Sequence, residues 1–387
     1  MRITHVITRL IIGGAQENTL SSVLGLRQKP GFEVHLISGP STGPEGSLES
    51  PDPQLIIVPS LVRPVHPYRD FVALRQLEQI FRRSRPDIVH THSGKAGILG
   101  RLAASKAGVP VIVHTVHGPS FGNFQNAFAN LLFRTAERRA ARATTHFVTV
   151  ADAMTEQYLA AGIGQREQYT KIFSGFNLNP YLSAKNDPEL RAKLGITPDD
   201  FVIGKIARLF KLKGHDDLFA VAPEIVRQHP RVKFLFVGDG EWRAKFEAKA
   251  RSLNLEKHFV FAGLVRPDEV PRYVGIMDTL VHLSLREGLP RALPQALAGG
   301  KPVIAYDCDG AREVCLNDKT GFLLPPGDLR GLKEALSHLI ENAPLRERLG
   351  QTGRDFVSEN FSNDRMVDQL EALYLKLASA HPKRQDG

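Results

Sequence analysis

"DTLVHLSLREGLPRALPQALAGGKPVIAYD", residues 278–307, holds two short apolar runs separated by a segment that Pro290 is well placed to begin as a helix. Two apolar strands joined through a helix are expected to be neighbours in a parallel sheet, because a parallel pair needs a long crossover connection. Strands that are apolar throughout also imply that helices cover both faces of the sheet.

The same alternation of strand and helix patterns continues along most of the chain. The further strand candidates are ITHVIT, EVHLIS, QLIIVP, DIVHTH, VIVHTV and HFVTV in the first half, and FVIGKIAR, VKFLFVGDG, HFVFAG and GFLLPP in the second. This rhythm predicts an α/β fold with two Rossmann-like, doubly wound parallel sheets in tandem. Ligands of such sheets bind beyond the carboxyl ends of the strands, so we expect the site in a cleft between two domains.

The length of 387 residues favours two domains, and a polar, turn-rich stretch over residues 174–200 is the expected connection. We predict one domain over residues 1–178 and a second over 179–360. Residues 361–387 should begin with a helix that carries Met366, Leu370, Leu373 and Leu377 on one face and packs back toward the first domain. A disordered tail is expected after His381.

Composition and charge limit the possible settings. The two cysteines, Cys308 and Cys315, fit no zinc spacing and indicate a reduced, cytoplasmic protein. The apolar start of the chain is interrupted by Thr8 and Arg9 and reads as a buried strand, not as a signal. The first 185 residues hold 20 Lys and Arg against 12 Asp and Glu, which points to an anionic membrane or a polyanionic substrate, with nucleic acid the least favoured.

Several strand ends carry groups suited to phosphate binding. Gly13 and Gly14 follow the first strand and precede a helix, where backbone N–H groups favour an anion; the pair could equally make a tight turn. Arg208 and Lys213 lie on one loop after a strand and could hold a diphosphate, although solvated surface charge is the simpler interpretation. Gly238 marks another turn between strand and helix.

Other strand ends carry groups suited to a sugar. Glu287 could accept hydrogen bonds from sugar hydroxyls at the mouth of the helix that follows, and Gln295, two turns further along, could reach a ribose. Among the histidines, His117 is the one expected to face the cleft, because Gly118 marks the end of its strand. His90 and His114 lie within strands and are expected in the core.

Six motifs form a set that spans almost the whole chain. They are GGAQ (residues 13–16), HTHSGKAG (90–97), TVHG (115–118), IARLFKLKG (206–214), VGDG (237–240) and EGLPRALPQALAGGKPVIAYDCDGAREV (287–314). The set resembles the retaining glycosyltransferases of family 4, which have the GT-B fold. The resemblance implies an acceptor-side first domain and a second domain that binds a nucleoside-diphosphate sugar.

The resemblance also implies the roles of individual residues. The implied catalytic residues are Arg208 and Lys213, which stabilise the leaving diphosphate, Glu287, which contacts the donor sugar, and His117, which lies beside sugar and acceptor. The implied donor-binding residues are Gly13, Gly14, Gln16, Gly238, Gly288, Leu289, Pro290, Arg291 and Gln295. Lys95 and His92 are expected on the acceptor side. The implied reaction transfers a sugar to an acceptor hydroxyl with retention, without cofactor or metal, in the synthesis of cell-surface polysaccharide or glycolipid.

Gln295 departs from the family pattern, which places a second Glu there to bind the donor ribose. A hydrogen bond to a charged acceptor contributes about 1.5 to 3 kcal/mol against about 1 kcal/mol for a neutral one, so roughly tenfold weaker donor binding is expected. This substitution is the one feature that favours a non-catalytic, nucleotide-sugar-binding relative. A GT-B epimerase or phosphorylase would need motifs that are not present.

Two further patterns suggest other partners. His90 and His92 form an HxH that would suit a metal-dependent hydrolase, but no downstream Asp and Glu ligands complete it, and the DCDG at 307–310 reads as a loop. The helix predicted from Phe124 carries Arg134, Arg138, Arg139 and Arg142 near its end and could rest on anionic lipid or hold a polyprenyl-linked acceptor; a solvated helix face is the alternative. A cytoplasmic enzyme at the inner face of the membrane would fit this helix.

Overall fold

The computed structural model describes residues 1–41, 48, 54–122 and 125–381. The tail expected to be disordered, from residue 382, and Phe124, where the basic helix was expected to begin, lie outside these ranges. The described chain forms two units, Met1–Phe176 with Asn363–Gly387, and Asn177–Ser362. The last helix of the chain therefore belongs to the first unit.

The first unit contains a parallel sheet of seven strands in the order β3-β2-β1-β4-β5-β6-β7. Its strands are β1 (Arg2–Ile7), β2 (Glu33–Ser38), β3 (Leu55–Ile57), β4 (Ile88–His92), β5 (Val111–Val116), β6 (His146–Thr149) and β7 (Tyr169–Lys171). Its helices are α1 (Gly14–Arg27), α2 (Pro67–Ser84), α3 (Gly94–Lys106), α4 (Ala127–Ala141), α5 (Asp152–Ala160) and, from the end of the chain, α14 (Asn363–Ala380). The short edge strand β7 was not among the predicted strands.

The second unit contains a parallel sheet of six strands in the order β10-β9-β8-β11-β12-β13. Its strands are β8 (Phe201–Ile206), β9 (Val232–Val237), β10 (Phe259–Gly263), β11 (Thr279–His282), β12 (Val303–Tyr306) and β13 (Gly321–Leu324). Its helices are α6 (Asn179–Leu182), α7 (Pro188–Lys193), α8 (His215–Gln228), α9 (Arg243–Ser252), α10 (Val270–Gly275), α11 (Ala292–Ala298), α12 (Leu329–Glu341) and α13 (Ala343–Asn360). Two doubly wound parallel sheets were predicted, and the structure contains both.

The helix predicted to start at Pro290 begins two residues later, at Ala292. The chain before it is held as a loop, because the backbone N–H of Glu287 donates to Asp309 Oδ2 at 2.7 Å and that of Gly310 donates to the Gly288 carbonyl. The DCDG turn continues into a short 3-10 helix at Asp309–Glu313.

Apolar side chains cover both faces of the first sheet. One face packs against α1 and α14, and the four residues predicted for the apolar stripe of α14, Met366, Leu370, Leu373 and Leu377, are all buried there. The other face packs against α2 and α3. Within the described residues, no helix combines the length and the apolar character that a bilayer span requires.

Each unit also buries charged side chains. Arg101 and Glu137 are completely buried in the first unit, where Nη2 of the arginine lies 2.5 Å from Oε2 of the glutamate. Lys205, within β8 of the second unit, is 1% exposed, and no hydrogen-bond acceptor lies within reach of its Nζ among the described residues. Burial, followed by the nearby charge of Lys213, lowers the pKa of Lys205 to about 7, against the opposing effect of Glu287 and Asp217.

The lowered pKa of Lys205 predicts how stability changes with pH. A lysine whose pKa is depressed in the folded state binds fewer protons there than in the unfolded chain, so its cost to stability is full below pH 7 and disappears as the pH rises toward 10. We expect Lys205→Met to raise the free energy of unfolding in urea at pH 6.5 by a few kcal/mol. The difference in free energy of unfolding between this variant and the parent protein should be smaller at pH 9.5.

Lys233→Met provides the control, since the Nζ of this lysine on the neighbouring strand β9 donates to the Lys257 carbonyl at the surface. The difference in free energy of unfolding between Lys233→Met and the parent should be the same at pH 6.5 and pH 9.5. A gap for Lys205→Met that is the same at both pH values would show that Lys205 keeps its ordinary proton affinity.

Candidate active site

In the second unit, three of the predicted segments meet at the carboxyl ends of the adjacent strands β9, β8 and β11. Gly238, at the end of β9, has φ 135°, and a Cβ there would lie 2.3 Å from the Ala207 carbonyl oxygen. Gly214 has φ 67°, and its Cβ would lie 2.0 Å from the carbonyl oxygen of Leu283. Both turns therefore require glycine, because a side chain would be strained and would also collide with backbone.

The close approach at Gly214 places Lys213 beside Glu287. The Nζ of Lys213 lies 2.5 Å from Glu287 Oε1, and both side chains are about four-fifths buried. The backbone supports the pair, because Leu285 N–H donates to the Leu212 carbonyl. Leu212 itself has a φ of 69°, a conformation that few residues other than glycine adopt and that is common at functional sites.

His282, the last residue of β11, lies against the other side of the glutamate, with its Nε2 3.2 Å from the same Oε1. Burial by itself would raise the pKa of Glu287, but the charge of Lys213 and then the close approach of His282 outweigh it and hold that pKa well below the usual range. Glu287 is therefore an ionised carboxylate at neutral pH, paired with the ammonium of Lys213.

The remaining predicted residues of this unit surround the pair or flank it. Gly288, Leu289 and Pro290 are buried in the loop after Glu287. Arg291 and Gln295 are half-buried at the start and middle of α11. Arg208 is exposed, with its guanidinium over the Phe210 ring, 5.8 Å from the centroid.

The two aspartates of DCDG make contacts within the protein. Asp307 receives two hydrogen bonds from Arg312, at 2.7 and 2.6 Å, and Asp309 accepts the Glu287 N–H. These carboxylates are therefore already used in holding the loop.

In the first unit, the predicted glycine turn lies between β1 and α1. Gly13 is the N-cap residue of α1, Gly14 its first residue, and Glu17 N–H donates to the Gly13 carbonyl. The side chain of Gln16 folds over this turn, so that a Cβ at Gly13 would lie 2.8 Å from Gln16 Oε1.

The two residues expected on the acceptor side are both committed to other contacts. Lys95 Nζ lies 2.6 Å from Asp70 Oδ1, and its side chain is about nine-tenths buried. His92 is 1% exposed, because it shares with His90 the face of β4 that α14 covers. His117, just after β5, is half-buried, and its Nε2 lies 3.1 Å from His92 Nδ1. In the structure, His92 lies behind His117, and its predicted place on the acceptor side stays a prediction.

The expectation of core positions for His90 and His114 agrees with the structure, which buries both. Sequence reasoning missed His5, which lies beside His92, and Tyr374, whose hydroxyl contacts His90. It also missed Lys205 and His282, although a lysine or histidine inside an otherwise apolar strand was a visible signal for each.

Among the described residues, one group of three side chains converges closely enough to suggest a metal site. It consists of His5, His90 and His92, whose candidate nitrogen atoms lie within 4.8 Å of one another. All three rings are already hydrogen-bonded, with His5 Nδ1 2.9 Å from His92 Nε2 and His90 Nε2 2.6 Å from Thr115 Oγ1. A metal would have to break these contacts, so the group does not support the hydrolase alternative.

Comparison with known proteins supports the resemblance seen in the motifs. Residues 13–171 match the family model described as "Glycosyl transferase 4-like domain", and residues 186–356 match "Glycosyl transferases group 1". Together the two matches take in most of the chain.

Full-length similarity extends to curated proteins and solved structures. The chain is 28% identical over 381 residues to the UDP-Gal:alpha-D-GlcNAc-diphosphoundecaprenol alpha-1,3-galactosyltransferase of Escherichia coli, covering 97% of each chain. It is 28% identical over 352 residues to the putative glycosyltransferase EpsD of Bacillus subtilis (strain 168), covering 89% of each. The structure of Anabaena Alr3699/HepE in complex with UDP superposes with a TM-score of 0.81 at 22% identity, covering 97% of this chain and 100% of that one.

The resemblance and the predicted fold class are thereby confirmed. The chain belongs to the group 1 glycosyltransferases of family 4, GT-B enzymes that transfer a sugar from a nucleoside diphosphate to an acceptor hydroxyl with retention of configuration.

Proposed function

We propose that the chain transfers a hexose from a UDP-sugar to a lipid-linked sugar acceptor in the synthesis of cell-surface polysaccharide or glycolipid. The observation that carries the proposal is the Lys213–Glu287 pair at the carboxyl ends of β8 and β11, beside Gly238. The Escherichia coli relative is named for a UDP-galactose donor and a diphosphoundecaprenol acceptor, and the similarity to it covers nearly all of both chains. These names support the choice of donor and acceptor.

The charges at this site suit the departure of a diphosphate. When the bond between the anomeric carbon and the phosphate oxygen breaks, negative charge develops on the diphosphate, and preorganised cations stabilise it. Lys213 is a mobile point charge held ready by Glu287, and Arg208 offers a planar fork at the exposed end of the same loop. Glu287 remains ionised to accept hydrogen bonds from sugar hydroxyls.

In the front-face route to retention that we propose, the acceptor approaches the face of the sugar that the diphosphate leaves. The bond from the acceptor oxygen to the anomeric carbon forms there, and the acceptor proton passes to the departing phosphate oxygen. No carboxylate nucleophile is needed in this route. We propose that the reaction requires neither metal nor cofactor, which agrees with DCDG carboxylates already bonded to Arg312 and to the Glu287 N–H.

The first test removes the charges of the site. We expect Glu287→Ala and Arg208→Ala each to lower kcat at least about a hundredfold, because each removes a group that acts on the donor as charge develops. Transfer from a radiolabelled UDP-hexose to a membrane extract would measure activity, and circular dichroism would confirm folding. Arg330→Ala is the matched control, since this arginine of α12 is 88% exposed and pairs with Glu334 of its own helix. Unchanged turnover in either site variant would refute the assignment.

The second test concerns Gln295. Gln295→Glu restores a charged acceptor for a ribose hydroxyl, so we expect about tenfold tighter binding of UDP. Calorimetry with UDP, GDP and ADP on both proteins would measure this gain and identify the base at once. A large loss of affinity in the variant would show that the neutral amide makes a different contact, and preference for GDP or ADP would overturn the choice of donor.

The first unit presents a surface suited to a membrane that holds a lipid-linked acceptor. Phe128, Leu131 and Leu132 of α4 are 78%, 64% and 50% exposed. Arg138 and Arg139 are exposed on the same helix. Exposed apolar side chains beside arginines are typical of helices that lie in the headgroup region of anionic bilayers. We propose peripheral attachment through α4 at the cytoplasmic face of the membrane.

Vesicle binding tests this attachment. We expect the double variant Phe128→Ser, Leu131→Ser to bind vesicles of phosphatidylcholine and phosphatidylglycerol at least about tenfold more weakly, because it removes most of the exposed apolar surface of α4. Sedimentation with vesicles would measure the change. Leu375→Ser is the control, since Leu375 is 50% exposed on α14 of the same unit. Equal binding by both variants and the parent would show that α4 does not contact lipid.

A further inference from the structure

A row of hydrogen-bonded imidazoles crosses the first sheet and ends at His117. His5 on β1 is in register with His90 on β4, and His92 follows two residues later on the same face. Thr115 on β5 lies in register with His92. Because side chains on one face of a strand recur every second residue, this pattern places His5, His90 and His92 on the side covered by α14. His117 follows the end of β5, and its ring reaches the same row through its contact with His92.

The contacts between the rings form one continuous series. His117 Nε2 lies 3.1 Å from His92 Nδ1, and His92 Nε2 lies 2.9 Å from His5 Nδ1. His5 Nε2 is then 3.4 Å from the Tyr374 hydroxyl, which also makes a short contact with His90 Nδ1. His90 Nε2 closes the series with Thr115 Oγ1 at 2.6 Å.

The buried rings are neutral at physiological pH. Burial lowers the pKa of His5 to about 3, with the charge of Arg27 adding to the effect. Burial, followed by the neighbouring histidines, lowers the pKa values of His90 and His92 well below the ordinary value. A neutral imidazole carries one N–H and one lone pair, so a ring that donates through one nitrogen must accept through the other.

When the ring of His117 is also neutral, this rule couples the tautomers of His5, His92 and His117. If His117 donates from Nε2, His92 must accept at Nδ1 and donate from Nε2, and His5 must do the same toward Tyr374. If the hydrogen bonds are donated in the opposite direction, from Tyr374 toward His117, all three rings carry their hydrogen on Nδ1. The tautomer of His5 therefore cannot change without changing that of His117, two contacts away.

We propose that His5 and His92 are positioning residues that set which ring nitrogen of His117 carries its hydrogen. The functional consequence rests on the proposed role of His117 beside the sugar and acceptor. In that place, a His117 ring with its hydrogen on Nδ1 would donate to an oxygen that carries no hydrogen. A His117 ring without a hydrogen on Nδ1 would accept from a sugar hydroxyl. One buried row of residues thus decides whether His117 presents a donor or an acceptor through its second nitrogen.

Nuclear magnetic resonance tests the coupling without any substrate. In protein labelled with ¹⁵N-histidine, two-bond ¹H–¹⁵N correlation spectra distinguish the Nδ1–H tautomer from the Nε2–H tautomer. We expect His5, His92 and His117 to share one tautomer in the parent protein. A spectrum in which any of these three differs from the others overturns the proposal, whatever the activity of the enzyme.

Tyr374→Phe is a conservative change. In the series of contacts, the rings of His5 and His92 lie between Tyr374 and His117. It removes one hydroxyl, so His90 should lose its link to His5, while His5, His92 and His117 still match one another. Resonances of His117 should move in this variant. Tyr169→Phe is the matched control, because its hydroxyl donates to the Ile163 carbonyl outside the row. A His117 spectrum that responds equally to both variants would show a general structural effect and overturn the coupling.

Activity then separates positioning from packing. His92→Leu should lower kcat/KM about tenfold, the size of one lost hydrogen bond, and His92→Asn should recover most of this loss because an amide can still pair with His117. Shared tautomers with unchanged kcat/KM in His92→Leu would overturn the positioning role. The result is independent of Glu287→Ala, which tests the proposed function at the other unit.

Discussion

Sheets that are covered on both faces exclude water, so a polar side chain on their strands must find a partner inside the protein or tend to lose its charge. The two units meet this constraint in different ways. The first pairs histidines with one another and Arg101 with Glu137. The second keeps Lys205 beneath the Lys213–Glu287 pair, and burial lowers the pKa of Lys205 until the ammonium loses its proton near neutral pH. The polar groups of the core are thereby connected to the groups at the strand ends.

The Lys213–Glu287 pair shows how this constraint serves a reaction. A lone buried carboxylate would be costly, and a lone buried ammonium equally so, but each compensates the other in the resting protein. In the proposed reaction, an incoming diphosphate offers Lys213 a second anionic partner, so part of the desolvation cost of the site has been met before the donor binds. His282, whose Nε2 lies 3.2 Å from Glu287 Oε1, would stay beside the carboxylate when the lysine turns toward the phosphate. Gly214 and Gly238 pass so close to neighbouring backbone that a side chain at either position would collide with it.

The fold class and the positions of the strand-end loops could be predicted from the sequence because they depend on local periodicity. Runs such as FVIGKIAR and DTLVHLS identify buried strands, and glycine after a strand identifies the turn. The partners of buried residues could not be predicted in this way. His5 and His92 are 87 residues apart, and His90 and Tyr374 are 284 apart, so nothing local links them.

The same limit explains the individual differences. His92 was expected on the acceptor side, and alternation along β4 puts it, like His90, on the face that α14 covers. Lys95 was expected on the same side, and α2 supplies Asp70 as an ion-pair partner that the local sequence does not reveal. The start of α11 differs because Asp309, twenty-two residues after Glu287, accepts the Glu287 N–H and holds the loop before the helix.

The return of α14 to the first sheet has a consequence for the order of folding. The helix supplies Met366, Leu370, Tyr374 and their neighbours to the core of a unit whose other elements end at Phe176. During synthesis, the first unit therefore waits with part of its apolar surface uncovered while the whole of the second unit is made. The first domain to emerge is the last to be completed, and a chain that stops before Asn363 would leave His5 and His90 without the tyrosine that joins them.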